Sequence, residues 1–308
     1  MDLARVDPEL RAAYRRLWLP PLHRRWVVGA VQGLSRLRRG PRRVDGRPVA
    51  VVPSGERTGR LHRPERPAGA ALLWIHGGGY LVGAPWVNDR ACARLARELG
   101  LVVLAAGYRL APRHPFPAAL DDCRAAWQWL VEHASELGVD PARIAVAGLS
   151  AGGGLAAALA QRLADEGALR PAAQVLIAPM LDDRTAARRE LDAEAHLVWD
   201  NRANRAAWRW YLGREPGVAE MPPYAVPARR PSLAGLPPAW IGVGDVDLFW
   251  EEDRAYAERL AESGVSCTFV AFPGAPHGFE TFAPHSAASR RLWIEVDAFL
   301  RRYLGLVP

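Results

Sequence analysis

Residues 143–160 constrain this chain most, because they combine an apolar run, a glycine-rich turn and a helical pattern. Residues 144–147 favour a buried strand, and residues 155–163, rich in Ala and Leu, predict a helix. Between them, Gly148-Leu-Ser150-Ala-Gly152 fits the pattern G-x-S-x-G. A strand that turns at once into a helix strains its central residue and needs small neighbours. The flanking patterns favour a reactive serine at the end of a sheet over a glycine turn with an incidental serine.

The rest of the chain alternates apolar strand patterns with helical ones. Further strands are predicted at residues 70–75, 101–105, 174–178, 238–243 and 266–272, and helices at 89–99, 120–137, 251–262 and 287–303. Such alternation predicts an α/β fold with a mostly parallel central sheet and helices on both faces. A length of 308 residues, half of them apolar, suits one large domain.

Two segments depart from this alternation and divide the chain into four parts. Residues 1–45 alternate Arg with Leu, Trp and Val, and residues 184–225 carry no strand pattern but include several aromatic residues. We interpret the first as an N-terminal helical lid and the second as a cap insertion. Residues 46–183 and 226–308 then form the α/β core. An interfacial membrane anchor is the alternative for residues 1–45, and their short apolar faces favour the lid.

Charge and cysteine content exclude several classes of protein. The formal net charge is +7, and every basic residue is Arg. The arginines are scattered and accompany no nucleic-acid-binding motif, so no nucleic-acid partner is expected. The three cysteines have neither metal-site nor redox spacing, and no metal is expected.

The N-terminus has neither the basic start nor the apolar core of a signal peptide. No uninterrupted apolar stretch is long enough to span a bilayer. We therefore expect a cytoplasmic protein without stable membrane insertion, and a homodimer is left open.

A second glycine cluster, His76-Gly77-Gly78-Gly79-Tyr80, directly follows the strand predicted at residues 70–75. Without Cβ atoms, successive backbone N–H groups can converge on one anion, either a phosphate or an oxyanion. A P-loop would need a Lys, and the chain has none. The glycines at 152–154 also lack the G-x-G-x-x-G spacing of a dinucleotide site. The cluster therefore favours an oxyanion site, with no nucleotide cofactor.

A serine nucleophile needs a base and an orienting acid, which on this type of fold follow it in the order acid, histidine. Three histidines follow Ser150: His196 in the insertion, His285 at the last helix, and His277 in the loop between the last strand and that helix. The loop is where a base must stand, so His277 is the predicted base.

The candidate acids come directly after the strand predicted at residues 238–243. Gly244-Asp245-Val246-Asp247 supplies two carboxylates, and either could orient the imidazole. Carboxylates after strands also often cap helices. The sequence pattern does not decide which of the two, Asp245 or Asp247, is the orienting acid.

Together, these residues resemble the hormone-sensitive-lipase family of α/β-hydrolases, in its bacterial esterase branch. The matching motifs, in the family's order, are His76-Gly-Gly-Gly79, Tyr108-Arg-Leu-Ala-Pro112 with His114-Pro-Phe-Pro117, Gly148-x-Ser-Ala-Gly-Gly153, Asp247-Leu-Phe249 and His277-Gly-Phe279. They span residues 70–300. The chain departs from the family at two positions, with Leu149 and Arg113 where many members carry acidic residues.

The resemblance implies Ser150 as nucleophile, Asp247 as acid and His277 as base. It also implies an oxyanion hole made of N–H groups from a second set of residues, Gly77, Gly78, Gly79 and Ala151. The expected activity is cofactor-free hydrolysis of a small-molecule carboxylic ester through an acyl-enzyme.

Aromatic residues of the glycine loop and the insertion are the predicted substrate-binding residues. They are Tyr80, Trp208, Trp210 and Tyr211, and Trp199 of the insertion is expected to help wall the same space. Bulky side chains should leave a short, walled slot for acetyl to hexanoyl groups, without activation at an oil–water interface. The alternatives are an amidase, formamidase or metabolite deacetylase with the same residues, and a non-catalytic ligand-binding member of the fold, which the presence of His277 disfavours.

Overall fold

A nine-stranded sheet forms the centre of this computed structural model, which describes residues 3–38 and 40–307. Residues 1, 2 and 39 of the predicted lid segment and residue 308 of the predicted core therefore lie outside the described residues. The strands are β1 (Arg43–Val44), β2 (Arg47–Ser54), β3 (Arg57–His62), β4 (Ala71–Ile75), β5 (Val102–Ala106), β6 (Ile144–Leu149), β7 (Gln174–Ile177), β8 (Ala239–Gly244) and β9 (Cys267–Phe272).

The strand order in the sheet is β1-β2-β3-β5-β4-β6-β7-β8-β9. From β5 to β9 every neighbouring pair is parallel, whereas β1, β2 and β3 pair antiparallel and form one edge. All five residues of β4 and of β5 are buried, as expected for strands covered on both faces. The predicted α/β class with a mostly parallel sheet is confirmed.

Ten α-helices accompany the sheet in the described part of the chain. They are α1 (Pro8–Arg15), α2 (Arg25–Leu37), α3 (Asp89–Leu99), α4 (Ala118–Glu132), α5 (Ala151–Asp165), α6 (Asp183–Ala187), α7 (Asn201–Leu212), α8 (Trp250–Glu262), α9 (Phe279–Phe282) and α10 (Ala287–Leu304). Helices α4, α5 and α8 contribute to one apolar core, and α1, α3 and α10 contribute to the core on the other side of the sheet.

Helix α4 is shorter than the pattern at residues 120–137 predicts. It ends at Glu132, and the backbone N–H of the C-cap residue His133 bonds to the carbonyls of Trp129 and Val131. Gly138 then takes a positive φ of 67°. The apolar residues after Glu132 continue the helical spacing in the sequence, but in the structure they lie in turns and pack into the core from there. Leu137 and Val139 are both buried there.

None of the helices in residues 3–38 and 40–307 has the length and apolar character needed to cross a membrane.

Candidate active site

Ser150 stands in the tight turn between β6 and α5. Its backbone angles are φ 57° and ψ −122°, a strained combination for a residue with a side chain. A Cβ on Gly148 would overlap the carbonyl of Gly152, and one on Gly152 would overlap the carbonyl of Ile75. Glycine is therefore required on both sides of the turn, which is why the G-x-S-x-G spacing accompanies this geometry. The turn raises the serine hydroxyl above the end of the sheet.

His277 lies directly beside this serine. Its Nε2 is 3.0 Å from Oγ of Ser150, and its Nδ1 is 2.7 Å from Oδ2 of Asp247. All three residues are buried. His277 follows β9 and Asp247 follows β8, so each side chain is delivered at the same end of the sheet as Ser150. The structure thus brings together, in hydrogen-bonded order, the three residues predicted as nucleophile, base and acid.

The two candidate acids occupy different surroundings. Asp247 uses Oδ2 toward His277, and its Oδ1 accepts a hydrogen bond of 3.0 Å from the backbone N–H of Phe249. Asp245 is exposed, and it accepts a 2.7 Å bond from the N–H of Gly274 in the loop before His277. Asp245 therefore supports the loop backbone, whereas Asp247 contacts the imidazole.

Electrostatics at His277 favour the charged imidazolium. Burial alone lowers the pKa of His277, but the charge and hydrogen bond of Asp247, with the charge of Glu280, outweigh burial and raise it above the ordinary value. Glu280 is buried, and its own pKa is raised, chiefly by desolvation. Its Oε2 finds no hydrogen-bond partner among the described residues. Sequence reasoning missed this second carboxylate, although it lies only three positions after His277.

The glycine cluster lies across from the serine turn. Gly77, Gly78 and Gly79 line the same cavity as Ser150 and His277. Gly78 and Gly79 have positive φ values of 117° and 60°. A Cβ on Gly78 would overlap the carbonyl of Val82, whose N–H in turn donates to the carbonyl of Gly78 at 3.0 Å. The loop is thus folded so tightly that a side chain at Gly78 is excluded.

Ala151 is the first residue of α5, so its backbone N–H has no partner within the helix. This group lies next to Ser150 in the chain. An N–H at a helix N-terminus favours negative charge. The glycine loop, which lines the cavity with Ser150, and this helix terminus, which begins at the next residue, are therefore candidate sources of N–H donors.

The cavity above Ser150 has a volume of about 560 Å³. Its walls are largely apolar and come from two segments outside the sheet. Residues 17–23 contribute Leu17, Leu19 and Leu22, and residues 196–203 contribute Leu197, Val198 and Trp199. Leu149 also lines the cavity, so the position where many family members carry an acid presents an apolar side chain here. Arg113 is exposed and does not line the cavity.

The four predicted substrate-binding aromatics lie elsewhere. Tyr80 stacks on Tyr211 with ring centroids 4.0 Å apart, and Trp208 lies 5.5 Å from Tyr80. These three side chains are buried in one cluster and do not line the cavity above Ser150. Trp210 lines a separate surface pocket. Trp208, Trp210 and Tyr211 are close together on α7, which favoured a shared site. Trp208 and Tyr211 instead face the core, and Trp210 lines the surface pocket.

Trp199 takes the position that those aromatics were predicted to hold. Its side chain is buried against the glycine loop, since a Cβ on Gly79 would overlap the indole ring. The indole Nε1 donates a 3.3 Å hydrogen bond to Oδ1 of Asn204. Trp199 was itself one of the insertion aromatics expected to wall the substrate space, and among them it is the one that lines this cavity.

The other two histidines after Ser150 do not contact its hydroxyl. His196 lines the cavity, but its Nδ1 lies 3.0 Å from the backbone carbonyl oxygen of Glu194. His285 is exposed before α10. Only His277 is within hydrogen-bond distance of Ser150 Oγ among the histidines of the described chain.

Comparisons with protein families and with known proteins all assign the chain to the same family. Residues 72–281 match the family described as alpha/beta hydrolase fold. An ethyl acetate hydrolase from Pseudomonas putida is 37% identical over 225 residues, which cover 71% of this chain and 70% of that protein. An acetyl-hydrolase from Streptomyces hygroscopicus is 35% identical over 260 residues, 84% of each chain.

A solved structure agrees with these relatives. The bacterial heroin esterase structure superposes with a TM-score of 0.87 at 35% identity, covering 99% of both chains. The resemblance inferred from the motifs is thus confirmed. The chain belongs to the alpha/beta hydrolase fold family, in its hormone-sensitive-lipase-like branch of bacterial esterases.

Proposed function

We propose that this protein is a serine carboxylester hydrolase that cleaves short-chain acyl esters of small molecules through an acyl-enzyme. The observation that carries the proposal is the hydrogen-bonded series from Ser150 through His277 to Asp247 at the floor of an apolar cavity. Relatives that are named as an ethyl acetate hydrolase and an acetyl-hydrolase support ester hydrolysis.

In the first half of the reaction, Oγ of Ser150 attacks the ester carbonyl carbon while its proton passes to Nε2 of His277. Asp247 accepts the hydrogen bond from Nδ1–H, which fixes the tautomer and stabilises the imidazolium. N–H groups of the glycine loop and of Ala151 would hold the oxyanion. When the C–O bond breaks, the proton on Nε2 passes to the departing alkoxide, and the alcohol leaves.

The second half repeats these steps with water. His277 takes a proton from the water molecule as its oxygen attacks the acyl carbon, and a second oxyanion forms. Its collapse breaks the bond to Oγ, and His277 returns the proton to Ser150. The carboxylic acid is released, and every proton is accounted for without a cofactor.

The strained turn also fixes the position of the Ser150 hydroxyl. The φ of 57° at this residue is held by glycines on both sides that tolerate no side chain. The hydroxyl is therefore presented to the substrate without rearrangement, which is the positioning that nucleophilic attack requires.

We interpret residues 1–45 and 184–225 as a lid and cap over this site. The supporting observation is that both segments contribute apolar walls to the cavity above Ser150. The cavity has a volume of about 560 Å³, and the indole of Trp199 lies against the glycine loop on one of its walls, which we assign to the acyl group. This favours acetyl to hexanoyl groups over long chains and gives no reason for activation at an oil–water interface.

Amide hydrolysis is the second candidate, since the same residues could act on an amide or formamide. The names of the relatives favour the ester. The experiment is a panel of p-nitrophenyl and alkyl esters from acetyl to decanoyl beside the matched amides, with Ser150→Ala as the control for contaminating esterase. Esters should be cleaved with a kcat/KM far above that of the matched amides, and a preference for amides would replace the proposal with the alternative.

A further inference from the structure

A second cavity, separate from the one above Ser150, opens beside the antiparallel edge of the sheet. Its volume is about 640 Å³. Helix α2, strands β2 and β3, and residues 82–86 form its walls. Five arginines and two histidines line it, and none of the described residues that line it is an Asp or a Glu. We call this space the arginine cavity.

Only one of the five arginines is neutralised by a carboxylate. Arg60 is buried and bonds to both oxygens of Asp89, at 2.7 Å each. The other four have no carboxylate within ion-pair distance in residues 3–38 and 40–307, and they are exposed to the cavity or to solvent. These four are Arg36, Arg38, Arg42 and Arg57. The cavity therefore carries about four unbalanced positive charges.

The positive charges of neighbouring arginines affect a histidine that lines the cavity. His114 lines it, and its pKa is lowered, first by burial and then by the positive charges of Arg57, Arg109 and Arg113, which outweigh the opposing negative charge of Asp122. A cation placed here is thus disfavoured, and an anion is attracted. Four guanidinium groups around one space match a ligand with several negative charges better than a single carboxylate, which one arginine can bind bidentately.

The remaining walls combine the polar residues Gln32, Ser35 and Thr58 with apolar surface. Val49, Val82 and Leu110 contribute aliphatic surface, and Trp86 contributes an aromatic ring. A volume of this size is in the range that binds small organic ligands rather than an inorganic ion alone. We propose that the arginine cavity binds an organic phosphate with at least two negative charges, of the class of a nucleoside diphosphate.

The arginine cavity and the cavity above Ser150 share part of one wall. Val82 and Gly83 line both, and the arginine cavity also reaches the ring of His76, which begins the glycine cluster. The two sites are therefore adjacent but chemically distinct, one apolar and one cationic. Binding in the arginine cavity requires neither the serine nor ester hydrolysis.

The test is calorimetric titration of the Ser150→Ala protein with ADP, AMP, adenosine and inorganic pyrophosphate at low ionic strength. ADP should bind more tightly than AMP, and adenosine should show no heat of binding. Arg38→Gln and Arg57→Gln should each weaken ADP binding by about tenfold, the size expected for losing one charged hydrogen bond. Arg66→Gln removes an exposed arginine outside the cavity and is the matched control for net charge.

Two results would overturn the proposal. One is ADP binding that is absent, or that Arg38→Gln and Arg57→Gln weaken no more than Arg66→Gln does. The other is binding of phosphatidylserine vesicles by the native protein without binding of ADP, which would assign these arginines to a lipid surface. Neither result bears on ester hydrolysis, which is measured separately with the native serine.

Discussion

The hydroxyl of Tyr14 donates a 3.0 Å hydrogen bond to the backbone carbonyl of His277, a residue 263 positions away in the chain. Tyr14 is buried on α1, and it also lies 3.4 Å from the carbonyl of Pro276. The N-terminal helix thus holds the loop that carries the proposed base. A helix that touches the loop in this way contributes to the position of the imidazole, and Tyr14 also lines the cavity above Ser150.

We expect Tyr14→Phe to lower kcat for a short-chain ester by about fivefold, because one buried hydrogen bond is worth about 1 kcal/mol. Steady-state kinetics with p-nitrophenyl acetate measures this. Tyr303→Phe is the matched control, since its hydroxyl bonds to Ser266 away from the site. Equal kcat values in the two variants would show that the Tyr14 hydroxyl does not position the loop.

Substitution of the two aspartates after β8 should have very different effects, because Asp247 contacts the imidazole and Asp245 supports the loop backbone. Asp247→Asn should lower kcat by about 10⁴, the loss known for the corresponding change in the best-studied serine protease, because an amide favours the wrong imidazole tautomer. Asp245→Asn should retain most of the activity, since Asp245 contacts only the backbone of Gly274. Were Asp245→Asn the crippling change, the acid would have to be reassigned.

Glu280 predicts a pH effect. His277 must be neutral to accept a proton, so kcat/KM falls as the pH drops through its pKa, which lies above the ordinary value of 6.5. Removing the negative charge of Glu280 should lower this pKa, and Glu280→Gln should move the acidic limb of the pH profile to lower pH. Glu251→Gln, an exposed site on α8, should leave the limb in place. An unmoved limb in Glu280→Gln would mean that Glu280 carries no charge in the active protein.

Trp199 predicts a change in acyl-length preference. Trp199→Ala should open the slot, and kcat/KM for octanoyl and decanoyl esters relative to acetyl should rise by up to about fourfold per methylene that becomes buried, or 0.8 kcal/mol each. Trp210→Ala is the matched control, because its side chain lines another pocket. A length profile that shifts in Trp210→Ala but not in Trp199→Ala would show that Trp210, and not Trp199, limits the length of the acyl group.

The central strands β4 to β8 were predictable because each is a short, mainly apolar run at a buried position, and the less buried edge strand β9 was predictable from its apolar and aromatic residues. The run at 144–147 appears as β6, Ile144–Leu149, and the run at 266–272 appears as β9, Cys267–Phe272. Ser150 was predictable for a different reason, since its turn admits only glycine at 148 and 152. Local steric requirements restrict which residue types can occupy these positions, so these features are visible in the sequence.

Contacts between distant segments were not predictable in the same way. The bond from Tyr14 to His277, the field of Glu280 and the position of Trp199 against Gly79 all depend on how segments pack in three dimensions. The aromatic run at 208–211 illustrates the limit. It was predicted to line the substrate slot, but Trp208 and Tyr211 are buried in the core, because composition does not say which space a large side chain fills.

The identity of the nucleophile is the central claim, and mass spectrometry tests it most directly. The native protein would be incubated with a short-chain alkyl phosphonate ester, a probe that reacts with an activated serine, and then digested and mapped. We predict one adduct per chain, on Ser150, with loss of activity in proportion to labelling. Labelling should fall sharply in His277→Ala, because Oγ loses its base, and it should vanish in Ser150→Ala together with turnover. An adduct on another residue, or full turnover by Ser150→Ala, would contradict the account.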